Sequence, residues 1–260
     1  MPAEEIYLRE DLADQVGNAD PFAFFSSLEG EVFRALESRR TFAVELGNKR
    51  FFVKYHRGTG SAEILKNLLQ LRLPVVSARN EWLALEKLRK LGVDVPLVAA
   101  YGKRGVLPQS CESFIVTEDV GTQENLEDLT RHWPDTAPPF REKLALIREV
   151  AHISSRMHGN GICHRDFYIC HFMLAGSGEN RLTLIDLHRA LVKNRLARRW
   201  IVKDVGSLYF SAMEIGLGQR DLLRFIRFYS GMSLESALGK DGRFWERVRR
   251  RARKLKAKHG

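Results

Sequence analysis

Gly161-Ile162-Cys163-His164-Arg165-Asp166 is the stretch that decides how this chain is read. Before it, Leu144, Ile147, Val150, Ala151 and Ser154 recur on one side of a predicted helix from Phe140 to His158. Gly159 and Gly161 stop that helix, so Asp166 falls on a loop, where an acidic side chain can reach a ligand. Three residues are a weak motif alone, and the surroundings must carry the weight. Further on, the apolar run Leu182-Thr183-Leu184-Ile185 delivers Asp186 at the end of a predicted strand.

Upstream, Phe51-Phe52-Val53-Lys54 places a lysine in a predicted third strand, and Glu81 opens the helix that follows. Phosphoryl transfer needs this set. A lysine grips the phosphates, a glutamate on a helix fixes the lysine, one aspartate takes the acceptor's proton and another holds Mg2+. Lys54, Glu81, Asp166 and Asp186 stand in the order that protein kinases use, with Asp186-Leu187-His188 in the place of Asp-Phe-Gly. Asp166 is therefore the expected catalytic base, Lys54 and Glu81 the nucleotide-gripping pair, and Asp186 the metal ligand. His164 and Arg165 are expected to brace the loop. Asp204, in Lys203-Asp204-Val205-Gly206, is expected to begin an apolar helix and to hold the catalytic loop backbone.

Val32 to Leu36, Thr41 to Leu46 and Arg50 to Tyr55 read as a three-stranded antiparallel meander, with Gly47-Asn48-Lys49 turning the second strand into the third. Trp82, Leu85, Leu88 and Leu91 mark a helix ended by Gly92. Val98 to Tyr101 and Phe114 to Thr117 read as two further strands, and Leu126 to Trp133 as a short helix. Strands thus give way to helices near residue 120. A hinge is expected at Glu118-Asp119-Val120-Gly121, with Glu118 a candidate nucleotide contact. The expected architecture is α+β, a protein-kinase-like bilobal fold with ATP between the lobes. It divides into a sheet-rich N-lobe within 1–119, a helical C-lobe over 120–240 and a basic C-terminal helix over 241–260.

No apolar run nears the roughly 18 residues of a membrane span, and Met1-Pro2-Ala3-Glu4-Glu5 lacks the pattern of a signal peptide. A cytoplasmic protein is expected. Cys111, Cys163 and Cys170 are too few for a disulfide framework. Paired Cys163-His164 and Cys170-His171 invite a zinc reading, but the Cys-x2-Cys spacing is absent and small buried cysteines are the expectation. Net charge is +10, and nine Lys or Arg stand against Asp241 and Glu246 in the last twenty residues. That tail fits an anionic membrane surface or an acidic protein, or a helix docked by Phe244, Trp245, Val248, Ala252 and Leu255. Nucleic acid is not expected.

Beyond these positions the chain closely resembles the lipopolysaccharide core heptose(I) kinases, the WaaP (RfaP) family of Gram-negative bacteria. The resemblance runs from about Asp20 to about Tyr229. It is strongest in Leu28-Glu29-Gly30-Glu31-Val32-Phe33-Arg34, Lys54-Tyr55-His56-Arg57-Gly58-Thr59, His164 to Phe172, and Ile185-Asp186-Leu187-His188-Arg189-Ala190. The second-to-last of these matches the family phrase except at Phe167 and at the preceding Cys163. The resemblance implies an ATP-dependent, Mg2+-requiring sugar kinase. It would act on O-4 of the first heptose of the lipopolysaccharide inner core, peripherally, at the cytoplasmic face of the inner membrane. The family's base carries over to Asp166, its metal aspartate to Asp186 and its lysine to Lys54. A protein kinase acting on Tyr, Ser or Thr is the alternative, weakened by the lack of Ala-Pro-Glu after Asp186. A catalytically silent nucleotide- or anion-binding protein is another. Two positions depart from the protein-kinase pattern. His171 stands where an Asn holds a second Mg2+, and imidazole is a poor ligand for that hard cation. Glu37-Ser38-Arg39-Arg40 replaces a glycine-rich turn, leaving Arg39 and Arg40 either over the phosphates or in water.

Overall fold

The computed structural model describes residues 4–36, 38–58, 77–107, 110–121, 124–174 and 181–259. Glu37 and Thr59, both named above, lie outside them. The chain divides into two compact units, Met1–Glu86 with Pro96–Gly121, and Lys87–Val95 with Thr122–Gly260.

In the first unit the elements run β1 (Glu4–Leu8), α1 (Glu10–Val16), α2 (Pro21–Ser27), β2 (Glu31–Leu36), β3 (Arg39–Leu46), β4 (Lys49–His56), α3 (Arg79–Lys90, whose last turn belongs to the second unit), β5 (Val98–Arg104) and β6 (Glu112–Glu118). The strands form one antiparallel sheet in the order β1-β5-β6-β4-β3-β2. The expected meander is its β2-β3-β4 half, and Leu46 pairs with Lys49 across a two-residue turn in which Gly47 has φ +66°. Strand β1 was not foreseen. In its Glu4-Glu5-Ile6-Tyr7-Leu8 two of the five residues are charged, as suits an edge strand, and there is little apolar alternation.

The period of two along β4 sends Phe51, Val53 and Tyr55 to one face and Phe52 and Lys54 to the other. The first set packs with Phe22 and Phe25 of α2, Leu12 and Val16 of α1, and Phe42 and Phe114. Each fully buried ring contributes about 2 kcal/mol of hydrophobic stabilisation. Lys54 is thereby held on the face that carries α3, where Trp82 stacks on Tyr101 at 4.3 Å.

The second unit contains α4 (Leu126–Thr130), α5 (Phe140–Gly159), β7 (Ile162–Cys163), β8 (Phe172–Leu174), β9 (Leu182–Leu184), β10 (Leu191–Val192), α6 (Arg198–Ser211), α7 (Gln219–Ser230) and α8 (Leu234–His259). Two short ribbons, β7 with β10 and β8 with β9, frame the segment from His164 to His171. Gly161 makes the entry to β7. Its φ is +80°, and a Cβ there would lie 1.8 Å from the Lys193 carbonyl oxygen. Gly161→Ala is expected to destabilise the unit by roughly 3 kcal/mol, through strain and displacement of β10, read as a lowered midpoint in urea unfolding.

Helix α8 begins at Leu234, before the basic tail, and kinks at Asp241, which pairs with Arg198. Beyond the kink Phe244, Val248, Ala252 and Leu255 are buried, and Phe244 and Val248 cluster with Val202 and Val205 of α6. The apolar stripe is therefore docked within the unit, and the cations face outward except Arg251, which is half-buried against α6. Among the described residues no helix is long and apolar enough to cross a membrane. An apolar cavity of about 370 Å3 opens among α5, α6, α7 and α8, lined by residues such as Leu146, Val150, Leu208, Ile226 and Trp245.

Candidate active site

In the first unit, Lys54 Nζ meets Glu81 Oε1 at 2.5 Å, with Glu81 almost wholly buried. A strand lysine and a helix glutamate, separated by 27 residues, are brought together by the face that β4's alternation assigns to Lys54. The pair expected from the sequence thus forms. Glu118 does not offer a free carboxylate, because its Oε1 accepts from Arg9 at 2.7 Å and Lys49 at 2.9 Å. Arg40 is half-buried. It donates to the Leu28 carbonyl at 3.1 Å and lies 4.2 Å over the Phe42 ring. Both Arg39 and Arg40 belong to β3 rather than to the turn.

In the second unit, Asp204 is fully buried and organises the loop. Its Oδ2 accepts from the His164 amide at 2.7 Å and its Oδ1 from the Arg165 amide at 2.9 Å. His158 Nε2 approaches Oδ2 at 3.4 Å, while its Nδ1 lies 2.9 Å from the Tyr229 hydroxyl. Burial pushes the Asp204 carboxyl upward, but His158, His164 and the surrounding donors outweigh it and hold the carboxyl below the ordinary aspartate value. The expected loop-holding acid is in place, with one correction. Asp204 does not begin its helix; it sits inside α6, which starts six residues earlier at Arg198. The basic, Trp-containing first turn hid that start.

Among the described residues, the non-glycine positions with positive φ are Arg165 (+75°) and Asp186 (+61°). Such backbone is strained for L-residues and gathers at functional sites. The first immediately precedes Asp166. Arg189 Nη1 reaches both Asp166 oxygens, at 2.8 and 3.0 Å, and fixes the carboxylate's orientation. His171 Nδ1 lies 2.7 Å from the Asp166 backbone carbonyl. A carbonyl can only accept, so Nδ1 carries the proton. The other nitrogen, Nε2, stands 3.6 Å from Asp186 Oδ2. On the far oxygen of Asp186, His188 Nδ1 donates at 2.5 Å. His164 is buried, donates from Nε2 to the Ile185 carbonyl at 2.9 Å, and is held neutral by desolvation. Asp166, Asp186, His171, His188 and Arg189 are thus one connected group.

Residues 24–229 match the model of the lipopolysaccharide kinase (Kdo/WaaP) family. The chain belongs to this family. It is 43% identical to the lipopolysaccharide core heptose(I) kinase WaaP of Escherichia coli, over 96% of this chain and 97% of that protein. Identity is 44% to the Pseudomonas aeruginosa protein of the same name, over 91% of this chain and 90% of that one. A solved structure of WaaP in complex with acyl carrier protein is similar with a TM-score of 0.85 and 38% identity. It covers 96% of this chain and 99% of that chain. The family match spans Lys54, Glu81, Asp166, Asp186 and Asp204, and it ends before α8. Family membership makes the chain an ATP-using phosphotransferase of α+β fold, sheet-rich in its N-terminal part and helical in its C-terminal part.

The contacts of His188 and Arg189 were not foreseen, although both lie in the Ile185–Ala190 run that carried the resemblance. Their signal was proximity to Asp186 in a short turn; what each would touch depends on backbone geometry. The paired Cys-His segments meet only through the His164 and His171 rings, stacked at 5.3 Å. Cys163 is buried 3.9 Å from the Trp200 carbonyl, and burial pushes both thiols upward, Cys170 to about 11. Cys170 is only partly buried. No group of three or more His, Cys, Asp or Glu among the described residues is arranged to hold a metal ion by itself.

Proposed function

We propose that the chain transfers the γ-phosphoryl group of ATP to O-4 of the first heptose of the lipopolysaccharide inner core. The observation that carries the chemistry is Asp166, displayed on a loop whose two preceding amides are fastened to buried Asp204. The acceptor rests on family membership and on relatives named heptose(I) kinases at 43% and 44% identity. In this assignment Asp166 orients the heptose hydroxyl and receives its proton, Arg189 keeps the carboxylate turned toward the acceptor, and Lys54, fixed by Glu81, grips nucleotide phosphates.

Asp186 fits Mg2+ as a single carboxylate, since that ion commonly takes one or two protein oxygens and completes its shell with phosphate and water. Mg2+ would neutralise phosphate charge there. His171 is assigned as a brace for the Asp166 backbone through Nδ1; its Nε2 lone pair faces Asp186 at 3.6 Å, but imidazole is a poor ligand for a hard cation such as Mg2+. The lipid-linked acceptor would be met at the cytoplasmic face of the inner membrane.

The test is incubation of the protein with ATP and dephosphorylated core lipopolysaccharide, with phosphorus located on the product by mass spectrometry and NMR. Phosphate on a protein but none on the sugar would transfer the assignment to the protein-kinase alternative. Lys54→Met is expected to reduce kcat/KM for ATP about a hundredfold, since a phosphate-contacting charge is lost in a partly buried site. Steady-state kinetics at varied ATP checks it.

An acidic carrier protein is the partner best suited to the second unit. The solved relative is a complex of WaaP with acyl carrier protein. Here an apolar cavity able to take an acyl chain opens beside cationic α8, whose Arg249 lines it.

A further inference from the structure

From Leu187 to Lys203 the chain carries six Lys or Arg and no Asp or Glu. Part of this charge converges. Arg165 Cζ lies 6.0 Å from the Trp200 ring centroid, Lys203 Nζ 5.7 Å and Arg199 Cζ 5.6 Å. Arg165 is more than nine-tenths buried, and its Nε is a buried donor with no partner. Among the described residues its Nη1 reaches only the Arg189 carbonyl, at 3.4 Å. Among the described residues none of Arg165, Arg199 and Lys203 pairs with a carboxylate within 4 Å. Asp166 is the adjoining acid, and Arg189 already spans both its oxygens. Asp204 lies behind, occupied by the loop amides. Desolvation and the neighbouring Arg165 and Arg189 guanidiniums push Lys203 below its usual value, and Asp166 offsets them only in part.

A buried guanidinium with an orphaned donor beside a second cation is costly unless an anion completes it. We propose that Arg165 and Lys203, flanked by Arg199 over Trp200, form an acceptor subsite for a phosphate or carboxylate group next to the hydroxyl that Asp166 activates. This inference rests on the sugar-kinase assignment and deepens it: the acceptor is a sugar bearing an anion within reach of its reacting hydroxyl. Lys203 is a specificity residue in this scheme, touching the acceptor away from the reacting atoms.

The experiment compares wild type, Lys203→Met and Lys203→Arg on three acceptors: core oligosaccharide that lacks phosphate only at the acceptor hydroxyl, the same with its carboxylates reduced to alcohols, and a neutral methyl heptoside. Lys203→Met is expected to raise KM for the anionic acceptor about tenfold, the loss of one charged contact. It should leave kcat, KM for ATP and turnover of the neutral heptoside within about twofold. Lys203→Arg should restore most of the affinity. If the carboxyl-reduced acceptor shows no Lys203 effect, the anion is a carboxylate; if the effect persists there, it is a residual phosphate. An equal loss on all acceptors, or an unchanged KM, overturns the subsite and leaves the kinase assignment standing. Failure of wild type to phosphorylate any of the three overturns the kinase assignment, and a turnover-free measurement then decides the subsite. Trp200 emission, taken as wild type minus Trp200→Phe, is titrated with inorganic phosphate at low ionic strength. A saturable change that Lys203→Met abolishes supports the subsite, and a flat titration overturns it.

Discussion

Asp166→Asn is expected to lower kcat about a thousandfold, the scale of a lost general base, while KM for ATP and the thermal midpoint stay close to those of wild type. The substitution keeps side-chain size and leaves one oxygen for Arg189, whose Nη1 contacts both carboxylate oxygens in the native loop. What it removes is the site for the acceptor's proton. Single-turnover phosphorylation of core oligosaccharide, with a parallel nucleotide-binding titration, separates lost chemistry from lost binding. A variant that turns over as fast as wild type would sink Asp166 as the base.

Asp204→Ala is expected to be severe for a different reason, costing about 3 to 5 kcal/mol of stability as well as activity. It strands the buried amides of His164 and Arg165 and leaves His158 facing an empty site. The pH dependence follows from the lowered carboxyl of Asp204. The unfolded state binds its proton more readily than the folded state. The stabilisation is therefore fully present above the ordinary aspartate value near 3.8 and is lost as pH falls through the lower folded value. Wild type should lose stability through this acid range more steeply than Asp204→Ala. Urea unfolding midpoints measured from about pH 5 down to about pH 2 compare the two slopes, and parallel curves would contradict the linkage.

The elements and residues that were legible in the sequence share a physical character. Strands β2, β3 and β4 announce themselves by short apolar runs and a Gly-Asn turn, and α5 by its apolar period. The Lys54–Glu81 pair was readable because it follows from strand alternation and from the first turn of a helix. Edge strand β1 was not readable, since little of it is buried and its pairing with β5 joins residues about a hundred positions apart in sequence. The start of α6 was hidden by Arg198, Arg199 and Trp200, which face outward or sideways and give no apolar period. Arg189 on Asp166 and His188 on Asp186 were illegible for another reason. Both depend on Asp186 adopting left-handed backbone, which residue type alone does not disclose. From its sequence the basic tail fits either a surface-seeking helix or a docked one, and only the partner face on α6 decides between them.

That docking changes what the tail is. On one side, α6 presents Val202 and Val205 to Phe244 and Val248; within the same helix, Asp204 grips the amides before the catalytic aspartate. Gly206 leaves so little room that a Cβ there would lie 2.6 Å from Arg251 Cγ. The C-terminal helix is consequently a splint for the catalytic loop, set two layers behind it. Any event that pries it from α6, whether proteolysis, a fusion or a partner competing for its apolar stripe, reaches phosphoryl transfer through a single helix without touching a reacting atom.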